Sequence, residues 1–207
     1  MKRVVAVLAC ALAVPIGAAE ISVLLHTTQG TPVRDAVVWL EGPAGKLAGA
    51  PAEIGQRDRE FDPFVTVVST GSRVLFPNRD KVKHHVYSFS AAKSFEIQLY
   101  SGLPTEPITF DKAGVVVIGC NIHDWMTAYV AVVDSSWFAK SQANGRGDLA
   151  NLPGGRYMLH VWHPYQTAQL APQRIELDSP ARRRELKLVL DIATPPRKPR
   201  PAAGDTY

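Results

Sequence analysis

The apolar residues of this chain come in short, β-branched runs cut by Pro and Gly, and no stretch keeps a long helical period. Residues 21–25 and 36–40 are two such runs, separated by the turn signal Gly30-Thr31-Pro32. Residues 42–55 crowd Pro and Gly and read as a loop. Runs at 64–69, 73–76, 82–89, 94–99, 115–118 and 127–133 continue the pattern. Further on, Asn144-Gly145 and Pro153-Gly154-Gly155 mark turns on either side of 149–152, and 156–162 and 184–190 alternate as strands. Residues 136–143 have room for one helical turn. Strand and turn signals at this spacing predict an all-β sandwich or barrel.

The two ends read differently from the body. Residues 1–19 begin with Lys2 and Arg3, continue through an apolar run at 4–16 and end in Gly17-Ala18-Ala19. A positive start, a short apolar segment and small residues before a cut mark an export leader, with cleavage expected after Ala19 and a periplasmic destination. The run falls short of the roughly 20 apolar residues that span a bilayer, so no membrane span is expected in the mature chain. Residues 194–207, TPPRKPRPAAGDTY, are Pro-rich without apolar period and read as a disordered tail. The whole chain has a formal net charge of +4. Lys2 and Arg3 depart with the leader, and Arg197, Lys198 and Arg200 lie in the tail, which leaves a nearly neutral folded body. No aromatic-interleaved basic patch remains to suggest a nucleic-acid partner.

The chain has two cysteines, and Cys10 lies in the leader. Cys120 is then a lone thiol in an oxidising compartment, where no internal disulfide is available to it. Metal ligation is a leading reason for such a residue. Residues 117–133, VIGCNIHDWMTAYVAVV, run strand, loop, strand, and set Cys120, His123 and Met126 around one tight loop. Thiolate, imidazole and thioether together suit copper. A second imidazole would complete a plane of two His and one Cys with a weak axial Met. The segment 82–89 supplies His84 and His85. Strand alternation puts Val82, His84 and Val86 on one face, and Lys83, His85 and Tyr87 on the other. With Lys83 toward solvent, His84 is the favoured ligand and His85 the alternative. His26, His160 and His163 are scattered in strands or a turn and are assigned no metal. Trp125, inside the loop, either shields the metal, contributes to a docking surface or simply packs.

These residues resemble those of the cupredoxin family. The spacing Cys120-x-x-His123-x-x-Met126 is similar to that of the amicyanin-type members, and the family's upstream His-Asn-Val is met here by His84-His85-Val86. Asn78-Arg79-Asp80, just ahead, is similar to the methylamine-utilisation cupredoxins. The resemblance spans roughly residues 60–133. It implies a Greek-key β-sandwich over 20–133 holding one type 1 copper through His84, Cys120, His123 and Met126. In the family, the Asn after the ligand His ties its strand to the Cys loop; here His85 has that place. The flanks resemble a second family, the carboxypeptidase-regulatory-like, transthyretin-like sandwiches, in residues 30–38 and 144–159. They imply a second, smaller sandwich over 134–193, with 20–41 either opening the first sandwich or pairing with the second.

The function expected from this is a periplasmic blue-copper protein carrying single electrons between redox partners such as a dehydrogenase or a cytochrome. An enzyme is not expected. Copper oxidases and nitrite reductases need a further His-rich centre, and six His in the whole chain are too few and too dispersed. Hydrolase and phosphate-loop motifs are missing from the sequence. Two alternatives share the fold: a copper carrier or chaperone, and a β-sandwich binding module that no longer binds copper.

Overall fold

The computed structural model describes residues 19–43, 49–104, 106–178 and 183–193. The expected leader up to residue 18 and the expected tail at 194–207 lie outside the described residues. Every regular element among those described is a strand, and the chain is all-β.

Strands β1 (Ala19–Thr27) and β2 (Val37–Glu41) open the chain, followed by the short β3 (Ala52–Glu53), β4 (Gly55–Arg57) and β5 (Glu60–Asp62). Next come β6 (Val65–Ser69), β7 (Ser72–Leu75), β8 (His84–Ser90), β9 (Lys93–Tyr100) and β10 (Ile108–Phe110). The long strands β11 (Gly114–Cys120) and β12 (Thr127–Val133) flank the Cys–His–Met loop. The chain ends with β13 (Phe138–Lys140), β14 (Arg146–Leu152), β15 (Gly155–Trp162), β16 (Gln173–Leu177) and β17 (Arg183–Leu190). Two local expectations are corrected. The loop at 42–55 contains β3 and the start of β4. Residues 136–143 hold β13 in place of a helical turn, because Phe138, Ala139 and Lys140 pair antiparallel with Trp39, Val38 and Val37. Segments of two or three residues carry no period from which sequence could read them.

The middle of the chain forms one sandwich. A five-stranded sheet, β6-β12-β11-β8-β9, and a three-stranded sheet, β10-β7-β3, share a core that includes Val74, Val86, Phe110, Val116, Ile118 and Val130. The two ends of the chain form a second sandwich. Its sheets β14-β1-β17 and β13-β2-β15-β16 enclose Ile21, Val23, Leu40, Leu149, Tyr157 and Leu159. Residues 20–41 therefore do not open the middle sandwich. Strand β1 pairs with β14 and, in parallel, with β17, while β2 pairs with β13 and β15. The alternation at 21, 23 and 25 explains this: those side chains are fully buried in the second core. The middle sandwich is thus threaded between β2 and β13, two hydrogen-bonded neighbours.

The sandwiches meet through the outer face of β6 and β12. Val65, Ala131 and Tyr129 pack there against Val37, Trp39 and Trp162. Lys140 adds a polar tie, donating to the Val65 carbonyl at 2.8 Å and pairing with Asp35 at 3.3 Å. Strand β12 is consequently covered on both faces, with Ala128, Val130 and Val132 in the middle core and Ala131 at the joint. A strand covered on both sides reads as the nearly continuous apolar run seen at 127–133. Edge strand β9 shows the opposite pattern, with Ser94 and Glu96 exposed between half-buried residues and Gln98 and Leu99 both exposed.

The separate cores generate a test. Leu40→Ala in the second core and Ile118→Ala in the middle core should each cost about 2–5 kcal/mol, the range for truncating a buried aliphatic side chain. Denaturant midpoints will show both losses. Only Ile118→Ala, two residues from Cys120, should also disturb the NMR signals of His84 and His123.

Candidate metal centre

Two neighbouring strands bring the expected residues together. Strand β8 begins at His84 and β11 ends at Cys120, and the two pair antiparallel with Cys120 opposite Val86 and Gly119 opposite Tyr87. Alternation along β8 buries His84, Val86 and Ser88 and leaves His85 and Tyr87 half-buried on the other side. Gly119 lets the Tyr87 ring lie close across β11, since a Cβ there would stand 2.8 Å from that ring. The loop after Cys120 folds back at once. The Met126 amide donates to the His123 carbonyl at 2.9 Å. The Asn121 amide donates to the His85 carbonyl at 3.3 Å and ties the loop to β8 through backbone. The His85 side chain is turned away and pairs with Glu96 at 2.8 Å.

His84, Cys120 and His123 converge as a buried group able to hold a metal ion. The Cys120 sulfur lies 3.7 Å from His84 Nδ1 and 3.6 Å from His123 Nδ1, and the two Nδ1 atoms are 3.1 Å apart. A triangle with these sides has one point about 2.0 Å from all three atoms, which is close to a metal–ligand bond length. The residues therefore fit a single ion held by two imidazoles and a thiolate. Exposure is 0% at His84, 3% at Cys120 and 6% at His123. Met126, at 1%, is buried in the core that also holds Cys120. With Cys120 it lines a groove of about 330 Å³, together with Tyr87, Val117 and Asp124 among others.

Sequence reasoning gave Asp80 no role behind these ligands and left Trp125 between shielding, docking and packing. Asp80 Oδ2 sits 2.7 Å from His84 Nε2. A carboxylate there holds the ring with its proton on Nε2 and leaves Nδ1 free to ligate. Asp80 is fixed in turn by the Asp58 amide at 2.6 Å and the Arg59 amide at 2.9 Å. Its own amide donates to Asn78 Oδ1 at 2.9 Å. Trp125 donates its indole N–H to the Arg59 carbonyl at 3.0 Å, and its ring lies 5.2 Å from the His123 ring. The sequence signal for Asp80 was its place in Asn78-Arg79-Asp80. Its reach to His84 depends on a bend at 80–82 that no motif announces.

The electrostatics follow from these contacts. Burial alone would raise the Cys120 pKa, but hydrogen bonds with His84 and with the His85 and Ile122 amides bring it below the ordinary thiol value. Burial opposes charge on His84, yet hydrogen bonds to Cys120 and Asp80 raise its pKa above the usual imidazole value. Burial lowers the His123 pKa, helped by the charges of His84 and Arg59. Burial would raise the Asp80 pKa, but the Arg59 amide, His84 and the Asp58 amide hold it below the usual carboxylate range. The site favours a thiolate and a carboxylate on either side of one imidazole.

The remaining histidines lie elsewhere. His160 stacks on Trp39 with ring centroids 4.9 Å apart, His163 accepts the Tyr165 amide at 3.1 Å, and His26 is in β1.

No family model matches the chain, and neither does any curated protein. Among solved structures it is similar to a Cu-containing nitrite reductase from Thermus scotoductus, with 23% identity, a TM-score of 0.38, and coverage of 40% of this chain and 22% of that one. It is also similar to amicyanin from Paracoccus versutus, at 18% identity and TM-score 0.35 over 40% of this chain and 80% of that one. A purple cupredoxin from Nitrosopumilus maritimus is similar at 22% identity and TM-score 0.32, over 40% of this chain and 99% of that one.

The role of Asp80 can be tested in the metal-free protein. Asp80→Asn removes the charge that supports the His84 proton, so the His84 ring should titrate at lower pH than in the wild type. A less charged His84 supports the thiolate less, so Cys120 should ionise at higher pH. Ring-proton NMR and thiolate absorbance against pH measure the two shifts. Unchanged curves would remove Asp80 from the electrostatics of the site.

Proposed function

We propose that the protein is a type 1 copper protein that carries single electrons between redox partners. The observation that supports this most is the buried triangle of His84 Nδ1, His123 Nδ1 and Cys120 Sγ, with one point at bonding distance from all three. Two imidazoles and one thiolate would hold the copper, and Met126, buried in the same core as Cys120, would add a weak thioether donor. Bound copper would supply a one-electron couple between Cu(I) and Cu(II).

The chain's own residues supply the rest. Cys120 and His84 are held by paired strands, and His123 by a loop closed through the Met126 amide. Ligands fixed in this way have little room to rearrange, which favours fast electron transfer. Burial keeps water from the donors. The neighbouring Ile122 is 40% exposed, so the site lies just below the protein surface at this loop. The burial of His84, Cys120 and His123 suits a carrier of electrons, whose donors need no direct access for a substrate. A dehydrogenase or a cytochrome is the proposed partner class, and the periplasm the proposed compartment. The proposed compartment rests on the leader-like residues 1–19.

Addition of Cu(II) to the purified protein should produce an intense blue thiolate-to-copper band. Cys120→Ser should abolish it. Met126→Leu should keep the colour and raise the reduction potential, because the axial donor that favours Cu(II) is lost. A pale product that gives up copper quickly to a chelator would favour a copper carrier. A folded sample that takes up no copper would overturn both metal readings.

A further inference from the structure

The two histidines of the centre are joined a second time, outside it. Asp58 and Arg59 form the two-residue turn of the β4–β5 hairpin, between the paired residues Arg57 and Glu60. Both have positive φ, 53° at Asp58 and 56° at Arg59. Positive φ at both central residues marks a type I′ turn, in which Asn-Gly is the favoured pair and an arginine is uncommon. Three backbone groups of this turn reach the supports of the metal site. The Asp58 and Arg59 amides hold both oxygens of Asp80, at 2.6 and 2.9 Å, and Asp80 meets His84 Nε2. The Arg59 carbonyl holds the Trp125 indole, whose ring is tilted against that of His123 with centroids 5.2 Å apart. The circuit closes between the Nδ1 atoms of the two histidines. The hairpin is itself anchored to the segment before β8. The Gln56 amide donates to the Pro77 carbonyl at 3.0 Å, and the Arg79 amide to the Gln56 carbonyl at 2.9 Å.

We propose that the Asp58–Arg59 turn is a positioning element for both imidazoles. Its amides press Asp80 against His84 and its carbonyl holds Trp125 beside His123, so one turn sets the angle between two ligands, one at the start of β8 and one in the loop after β11. The proposal rests on reading the His84–Cys120–His123 triangle as a metal site. It assigns the work to the backbone of the turn, leaving the side chains of Asp58 and Arg59 replaceable wherever the conformation is kept.

Two substitutions at one position separate backbone from side chain. Arg59→Gly and Arg59→Pro both remove the guanidinium. Glycine keeps the N–H and accepts φ near 56°, whereas proline lacks the N–H and locks φ near −65°. In the metal-free protein, NMR should find the Trp125 indole N–H and the His84 ring Nε2–H unchanged in Arg59→Gly and both displaced in Arg59→Pro. Copper affinity, read by Cu(I) competition against a chelator, should fall about 10- to 100-fold in Arg59→Pro, the usual loss when a ligand's support is removed. It should stay close to wild type in Arg59→Gly. Identical signals and affinities in the two variants would overturn the proposal. If Arg59→Pro does not fold, Asp80→Asn and Trp125→Phe each remove one arm. A combined loss that departs from the product of the single losses supports a shared turn, and independent losses overturn it. A wild-type protein that binds no copper would defeat the metal reading, while the two metal-free signals would still decide the role of the turn.

Discussion

The centre depends on a short stretch of antiparallel pairing, Cys120 with Val86 and Gly119 with Tyr87. It sets the end of β11 beside the start of β8, and so a thiol beside an imidazole. Everything else at the site follows from that neighbourhood. Taking a thiolate out of water is costly unless it is paired and hydrogen-bonded. Here the pairing strand contributes both remedies, the His84 ring and the His85 amide, and the loop adds the Ile122 amide. The register also decides which residues serve. A slip of one position would turn His85 inward and His84 outward, and would part His84 from Asp80.

The same economy governs the architecture. A domain can be inserted into another with little disturbance where the entry and exit of the insertion lie close together. Strands β2 and β13 are hydrogen-bonded neighbours, so the host sheet closes across the gap left by the middle sandwich. The contact between the sandwiches then grows from elements already adjacent, with Trp39 on β2 and Lys140 on β13 reaching Tyr129 and Val65 on the outer face of the five-stranded sheet. That arrangement covers one part of the sheet face and leaves Val117 and Phe89, on β11 and β8, exposed.

Much of this was legible in the sequence where a period was long enough to read. Residues 21–25, 127–133 and 156–162 announced β1, β12 and β15 because their alternation or apolar continuity reflects burial on one face or two. The short strands β3, β5 and β13 were silent, since two or three residues are stabilised by their partners and not by their own pattern. Alternation along 82–86 also bore on the choice between His84 and His85, and the structure buries His84 beside Cys120 while His85 pairs with Glu96. Trp125 could be read only as shielding, docking or packing, and Asp80 carried no role of its own. Their partners, Asp58 and Arg59, lie more than 20 residues upstream, in a turn without the Asn-Gly signal that sequence reading depends on. What stayed hidden is the second layer around the metal site, which is built from contacts distant in sequence and carried largely by backbone groups.

The conformation of Arg59 shows how local and distant demands were balanced. A non-glycine residue in the left-handed region costs roughly 1–2 kcal/mol. Aspartate tolerates that region, so the opposition to this turn comes from Arg59. Against that stand two amide hydrogen bonds to a charged carboxylate, and bonds to charged groups contribute about 1.5–3 kcal/mol each. Asp80 is part-buried and its pKa is lowered, as expected of a carboxylate that remains charged in this place. The long-range bonds outweigh the local strain. The turn adopts its conformation because Asp80 completes it, and Asp80 in turn is where His84 needs a partner. A structure that ties a locally unfavourable turn to a fully buried histidine makes the geometry of the site and the fold of the hairpin one cooperative property.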